Sequence, residues 1–529
     1  MFWADKIAAD TQDYQVVNDS KTPSGRVHVG SLRGVVIHDV IYKALKHAHK
    51  PVKFIYGVDD YDALDAVPGY LDQAKFSPYL GFPLCNVPSP VGDSDFAKYF
   101  MGEFLEVFAQ LGIHPEVYYL RDLYRTGQLD RYIDLFLQNA HLVRESYLEI
   151  SKAKRPDNWY PFQTICENCG KIATTVVTDY NGKEVFYTCE PSATNYVQGC
   201  GHSGWVSPFG GNGKLPWKVE WVAKWDLLGV TIEMAGKDHS QKGGSRDVAN
   251  SICRKVLKKQ PPFHSPYEFI LVNGSKMSSS KGVGSGAKEI AEFLPPELLR
   301  FLMLRTQPRT VINFETNYET ITRLLRDYDT LIEKYKSANG VETEELMPLA
   351  YAQLDDKIQP YQVFDFSTLI SLLQIPHLDI EAEVKKRSAE PLSDRDWQVI
   401  RERITVAQKW LQDYADEEEK LVLYLDKLPE RTNEITPEQF TYLAKLQENL
   451  EAIADWEGEA LQTALFAIAK ELGIQQKDAF KAVYLSFLGK ERGPKAGSLL
   501  SYLDKSFVIA RLQEVKVLNL SSSGVWSST

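Results

Sequence analysis

A strand, a loop, a helix and a second strand can be read in succession near the start of this chain, and that order restricts the fold more than any other feature. Residues 14–17 and 52–56 are apolar runs of strand length, bounded by turn formers and acids. Between them Leu32, Val35, Val36, Val40, Ile41, Ala44 and Leu45 recur at helical spacing. Two strands separated by a helix cannot form a hairpin; they pair in parallel with a right-handed crossover. Residues 116–120, after an amphipathic helix over 95–111, extend the sheet, and strand-like runs return at 230–234 and 267–272. The expected fold is α/β, a doubly wound parallel sheet of Rossmann type split by an insertion.

The insertion is where the pattern breaks. Residues 155–215 are rich in Gly, Pro, Asn and Cys, with short β-like pieces at 173–177 and 184–187. From Ala287 onward the chain reads as helical, over 318–336, 394–424, 437–453 and 459–472, and only the Ser-rich end, 521–529, is compositionally biased. A length of 529 residues corresponds to roughly three or four domains at about 150 residues each. The expected boundaries are 1–115 and 216–275 for the two halves of the sheet, 116–215 for the insertion, 276–350 for a loop and following helices, and 351–529 for an all-α region.

Lys and Arg number 60 against 71 Asp and Glu, a net charge of −11. That balance excludes coating of nucleic acid by bulk charge but leaves room for a local patch. The first residues hold no uninterrupted apolar stretch of signal-peptide type, and no run approaches the ~18 apolar residues that span a bilayer. Six cysteines are few for this length, and four fall between positions 166 and 200. Sparse, clustered thiols without an export signal point to the cytoplasm and to metal binding.

Cys166-x2-Cys169, then Cys189, then Cys200-Gly-His202 has the spacing of a tetrahedral zinc site of ribbon type. Either Cys200 or His202 can close it, and Cys200 is preferred. With every position filled by protein the metal is structural, stabilising an insertion too small for its own core. Cys85 and Cys253 have no partner spacing.

Two loops carry the remaining chemistry. Thr22 to Gly34 lies where the first strand gives way to the first helix, the position at which such sheets bind nucleotides. Gly25 and Gly30 let backbone approach a phosphate, the helix start favours an anion, and His28 can donate a hydrogen bond to it. A capped Pro–Gly turn is the plainer alternative. In Gly274 to Gly286, Lys276 and Lys281 flank the hydroxyls of Ser278, Ser279 and Ser280. Such a loop can fold over a triphosphate as pyrophosphate leaves, or be a simple linker or phosphorylation target.

Together the loops resemble the HIGH and KMSKS signatures of class I aminoacyl-tRNA synthetases, reading HVGS at His28 to Ser31 and KMSSS at Lys276 to Ser280. The phrases TPSGRVHVGS, YGVDDYDALDAVP, GKLPWKVEW, AGKDHSQKGGS and NGSKMSSSKG are similar to those of class I lysyl-tRNA synthetases, densely from about residue 14 to 315 and more thinly beyond. The resemblance implies ATP with magnesium, L-lysine and tRNA(Lys) as partners and an α-helical anticodon-binding end; a monomer is expected beside the structural zinc ion. It implies catalytic roles for His28, Lys276 and Lys281, and nucleotide contacts from Gly25, Gly30, Ser31, Gly236, Asp238, Met277, Ser278, Ser279 and Ser280. Thr22, Trp221, His239 and Tyr267 become the lysine pocket by the same resemblance. Asp60 joins them because an ε-ammonium needs a carboxylate and Asp60 and Asp62 follow the second strand, with Glu220 beside Trp221. Two departures stand out: Ser31 replaces the second histidine of HIGH, and Ser279 the second lysine of KMSKS. A class I synthetase for glutamate or arginine, an inactive synthetase-like RNA-binding protein, and a small-molecule adenylyltransferase are the alternatives.

Overall fold

The computed structural model describes residues 1–11, 13–272, 286–339, 343–355, 357–376 and 378–522. Gln15–Lys21 (β1) pairs in parallel with Val52–Val58 (β2), in register from Gln15 opposite Val52 to Lys21 opposite Val58, with the helix Gly30–His47 (α1) crossing between them. β1 runs four residues past the apolar stretch seen in the sequence, 17 to 21. Its polar end, Asn18 to Lys21, continues because ladder hydrogen bonds are made by backbone whatever the side chain. Leu32, Val35, Val40 and Leu45 of α1 are fully buried. So is Arg33, whose guanidinium donates to the carbonyls of Glu268 (2.7 Å), Phe269 (3.1 Å) and Thr310 (2.8 Å).

After the helix Phe96–Gln110 (α2), Glu116–Tyr119 (β3) joins the far side of β2, giving the order β1-β2-β3, all parallel. On the other edge the expected 230–234 strand narrows to one rung, Ile232, bridged in parallel to Val17 and to Phe263. The 267–272 run is divided: Pro266–Tyr267 pairs with Ala235–Gly236, whereas Ile270–Val272 pairs with Ile312–Phe314. The insertion carries an antiparallel sheet of Thr175–Tyr180 (β4), Val185–Cys189 (β5) and Ser203–Val206 (β6). Trp217–Leu228 (α3) follows it.

By contact density, residues 1–316 and 323–360 form one unit, and residues 317–322 and 361–529 another. The second is helical, with a core that includes Leu446, Leu450, Leu465, Val483, Leu485 and Leu499. Its helix Asp394–Asp413 stops well before the expected end at 424. The acids Asp416 to Glu419 follow at once, and negative charge opposes the dipole at a helix C-terminus. Among the described residues no helix is long and apolar enough to cross a membrane.

Candidate active site

The loop from β1 to α1 turns tightly, with the amides of Ser31 and Leu32 donating to the carbonyls of His28 and Val29, both at 3.0 Å. His28 is half-buried, and its backbone is bridged antiparallel to Gly286; the amide of Ala287 donates to the carbonyl of Val27 at 2.8 Å. Lys276, Met277, Ser278, Ser279, Ser280 and Lys281 lie outside the described residues, but the chain that follows them is thus fastened to the segment bearing His28.

Beside this loop opens a cavity of about 410 Å³, floored by the carboxyl ends of β1 and β2 and walled by α3. Thr22, Ser31, Trp221, Gly236, His239 and Tyr267 line it, so six residues distant in sequence come together. Asp238, next to Gly236, is exposed. It does not cap the following helix, Ser245–Ile252, whose N-cap is Gly244. Two glycines are demanded by close approach. A Cβ on Gly34 would stand 2.5 Å from the Tyr267 hydroxyl and 3.2 Å from an Asp19 carboxylate oxygen. One on Gly236 would stand 2.8 Å from Asp238 Oδ1.

Asp60 is the exception. Its carboxylate accepts from the backbone amide of Arg121 (2.9 Å) and is ion-paired with the Arg121 guanidinium, which also reaches Asp95 at 2.6 and 2.8 Å. Asp60 is fully buried, does not line the cavity, and has both carboxylate oxygens engaged by Arg121. The neighbouring acids face the cavity instead: Asp59 binds Lys224 at 2.7 Å, and Asp62 accepts from Thr22 at 2.5 Å and pairs with Lys214.

α3 supplies the aromatic wall. Trp217, Trp221 and Trp225 are spaced four apart, with successive ring centroids 5.9 and 5.5 Å apart, and His239 stands 5.5 Å from Trp217 and 6.2 Å from Trp221. Glu233 fixes this ladder by accepting from the indoles of Trp221 (2.7 Å) and Trp225 and from the Asn18 amide (2.6 Å). Burial raises the Glu233 pKa, and the Arg246 guanidinium, 3.7 Å away, opposes the rise. His38 accepts from the Met234 amide at 2.9 Å through Nε2, so Nδ1 carries the proton and donates to the Gly34 carbonyl at 2.7 Å. It is a neutral imidazole, consistent with burial pulling its pKa down to about 4.

Two acids in the cavity are held near neutrality. Asp19 is pushed up to about 7 by burial, partly offset by the Ser20 amide and Lys21. Glu220 is likewise pushed up to about 7 by burial, against the pull of Lys214 and Lys224, and accepts from the Tyr124 hydroxyl at 2.6 Å. Sequence reasoning missed Asp19, Lys21, Asp59, Lys224 and Glu233. An acid inside the apolar run 230–234, and a lysine directly before TPSG, were the available signals.

In the insertion the sulfurs of Cys166, Cys169, Cys189 and Cys200 all lie within 4.8 Å of one another, with Cys166 to Cys200 at 3.6 Å and Cys169 to Cys189 at 3.7 Å. Tetrahedral zinc with bonds of about 2.3 Å sets neighbouring sulfurs about 3.8 Å apart, so the donor set fits that ion. The backbone amide of Cys200 also donates to Cys189 Sγ, 3.3 Å away. The His202 ring packs 5.9 Å from Tyr187 and is not one of the clustered donors.

A family model described as tRNA synthetases class I (K) matches residues 1–353, and one described as an anticodon binding domain matches residues 382–516. The chain is 34% identical over 517 residues to the lysine–tRNA ligase of Thermoplasma volcanium, covering 97% of this chain and 99% of that protein. It is 32% identical to lysine–tRNA ligase 1 of Methanosarcina acetivorans, covering 99% and 100% of the two chains. It is also 32% identical to the lysine–tRNA ligase of Archaeoglobus fulgidus, covering 97% and 99%.

Proposed function

The chain belongs to the class I tRNA synthetases (K), and from that premise we propose how its residues divide the work. Its activity is the ligation of lysine to tRNA, with ATP as the energy source. In the first step the lysine carboxylate attacks the α-phosphorus of ATP and pyrophosphate leaves. No protein nucleophile is needed, so the chain contributes positioning and electrostatics. In the second, the lysyl group passes to a ribose hydroxyl at the tRNA end.

We assign the triphosphate to the β1–α1 loop, with Gly25, His28, Gly30 and Ser31 as its contacts, and the ribose to Gly236 and Asp238. Lys276 and Lys281, with Met277 and Ser278 to Ser280 between them, neutralise the departing pyrophosphate; magnesium accompanies ATP. The amino acid occupies the cavity between Thr22, Trp221, His239 and Tyr267, and Asp62 and Glu220 take over the electrostatic role expected of Asp60. Indole faces and carboxylates together suit an alkylammonium chain. The observation that best supports this reading is the pairing of Gly286 with His28, which joins the residue after the second proposed phosphate-handling segment to the first.

The four cysteines hold a structural zinc ion that stabilises the insertion. The sheet is a doubly wound one, divided at the proposed boundaries 115/116, 215/216, 275/276 and 350/351. The protein acts as a cytoplasmic monomer whose helical end reads the anticodon of tRNA(Lys). Lysine-dependent exchange of pyrophosphate into ATP, run against all twenty amino acids with and without tRNA, tests the reading. Exchange driven by another amino acid alone would overturn the substrate, and exchange with none would overturn the site.

A further inference from the structure

Lys21 and Lys224 line the cavity, and Lys214 backs it. Two of the three are neutralised: Lys224 by Asp59 at 2.7 Å, and Lys214 by Asp62 and Glu220. Lys21 is different. Among the described residues no carboxylate oxygen lies within 4.0 Å of its ammonium.

Its place in the fold is specific. Lys21 closes β1 two residues after Asp19, so strand alternation puts both side chains on one face. Asp19 and the Tyr267 hydroxyl both crowd Gly34, and the Tyr267 ring lies 3.9 Å from where a Cβ on Gly236, near Asp238, would stand. Burial lowers the Lys21 pKa, while Asp19, Asp238 and Asp59 act on it through space in the opposite sense. Lys21 therefore lines the cavity within electrostatic reach of the proposed ribose contact. A half-buried ammonium with no carboxylate in contact is costly, and an incoming anion relieves that cost. Between a ribose on Asp238 and a lysine carboxylate over β1, the group that must lie there is the α-phosphate.

We propose that Lys21 is a catalytic residue that binds the α-phosphate of ATP and of the adenylate. This rests on the assignment of ribose and amino acid made above. As the carboxylate oxygen bonds to the α-phosphorus and the bond to the β-phosphate oxygen breaks, pyrophosphate departs with the electron pair. Lys21 keeps all its protons and compensates charge on the non-bridging oxygens.

The test compares AMP with adenosine on the full chain, by calorimetric titration of the natural protein, Lys21→Met, Lys21→Gln and Lys21→Arg. The neutral variants should lose about tenfold to a hundredfold in AMP affinity, as for a charged hydrogen bond, and keep adenosine affinity within about twofold. Lys21→Arg should recover most of the loss. The exchange rate at saturating lysine should fall about a hundredfold in Lys21→Met, with the KM for lysine unchanged. Equal effects on AMP and adenosine, no effect on either, or a loss confined to the KM for lysine would each overturn the proposal. Failure of the natural protein to support lysine-dependent exchange would count against the site reading instead, because the difference between AMP and adenosine is read without lysine. Removing a half-buried cation with no carboxylate in contact should not lower the melting temperature, and Lys21→Gln covers the case in which Lys21→Met does not fold.

Discussion

Gly286 is bridged through its backbone to His28, and the amide of its neighbour Ala287 donates to Val27 at 2.8 Å. The consequence is mechanical: the segment holding Lys276 and Lys281 ends on the loop that we assign to the triphosphate. Ala287 opens the helix Ala287–Phe293, where proline is well tolerated, and Gly286 has φ −64° and ψ 149°, values a residue before proline adopts. Ala287→Pro therefore spares the helix while deleting the donor to Val27. The expected loss of stability is that of one hydrogen bond, about 1 kcal/mol. Lysine-dependent pyrophosphate exchange should fall about tenfold or more if the fastening matters for closure over ATP. Thermal melting and exchange kinetics on one sample decide it, and an unchanged exchange rate would sink the idea.

Asp60 and Asp62 separate by experiment along the line drawn by Arg121. Asp60→Asn breaks a buried ion pair but leaves Arg121 paired with Asp95, so it should cost somewhat less than the about 3–5 kcal/mol of a buried charge left alone. The protein that remains folded should keep its KM for lysine. Asp62→Asn, which sits on the cavity with Thr22 and Lys214, should raise that KM with a smaller fall in melting temperature. The reverse pattern would return Asp60 to the pocket.

Much of this could be read in the sequence, and the boundary has a physical reason. The parallel β1–β2 pair and α1 follow from apolar periodicity, and the sulfur cluster from cysteine spacing, because both are local patterns. The split of 267–272 between two partners was not readable, since pairing partners for short runs are settled by tertiary geometry. The choice among Asp59, Asp60 and Asp62 depends on Arg121, 61 positions from Asp60, and on Lys214 and Lys224 still farther on. Three acids within four positions look alike until their cations are placed.

Cys166→Ser removes one of four clustered sulfurs and should abolish stoichiometric zinc, measured by atomic emission on the purified chain. The β4–β6 sheet packs around the same cluster, with Cys189 buried at the end of β5. Limited proteolysis should then cut between residues 166 and 206 faster than in the natural protein, because metal binding and folding of such a module are coupled. Retention of one zinc per chain would refute the ligand set. His202→Ala is the matched control and should keep its metal.

The last prediction concerns pH. Glu220 faces the cavity with its pKa pushed up to about 7 by burial, so near neutrality it is only partly ionised. A substrate ammonium binds the carboxylate and not the acid. Below about pH 7 a proton must first leave, and lysine affinity should therefore rise with pH, by up to about tenfold per unit, then level off above about 7. Binding in that lower range should release a proton, detectable as a dependence of the binding heat on buffer ionisation enthalpy. Glu220→Gln should bind lysine more weakly and with a flat profile. Asp19, also near 7 and on the same cavity, is separated by Asp19→Asn, which should leave the slope in place. If the slope survives Glu220→Gln and disappears in Asp19→Asn, the titrating group belongs to β1 and the ammonium lies closer to the nucleotide than the pocket assignment allows.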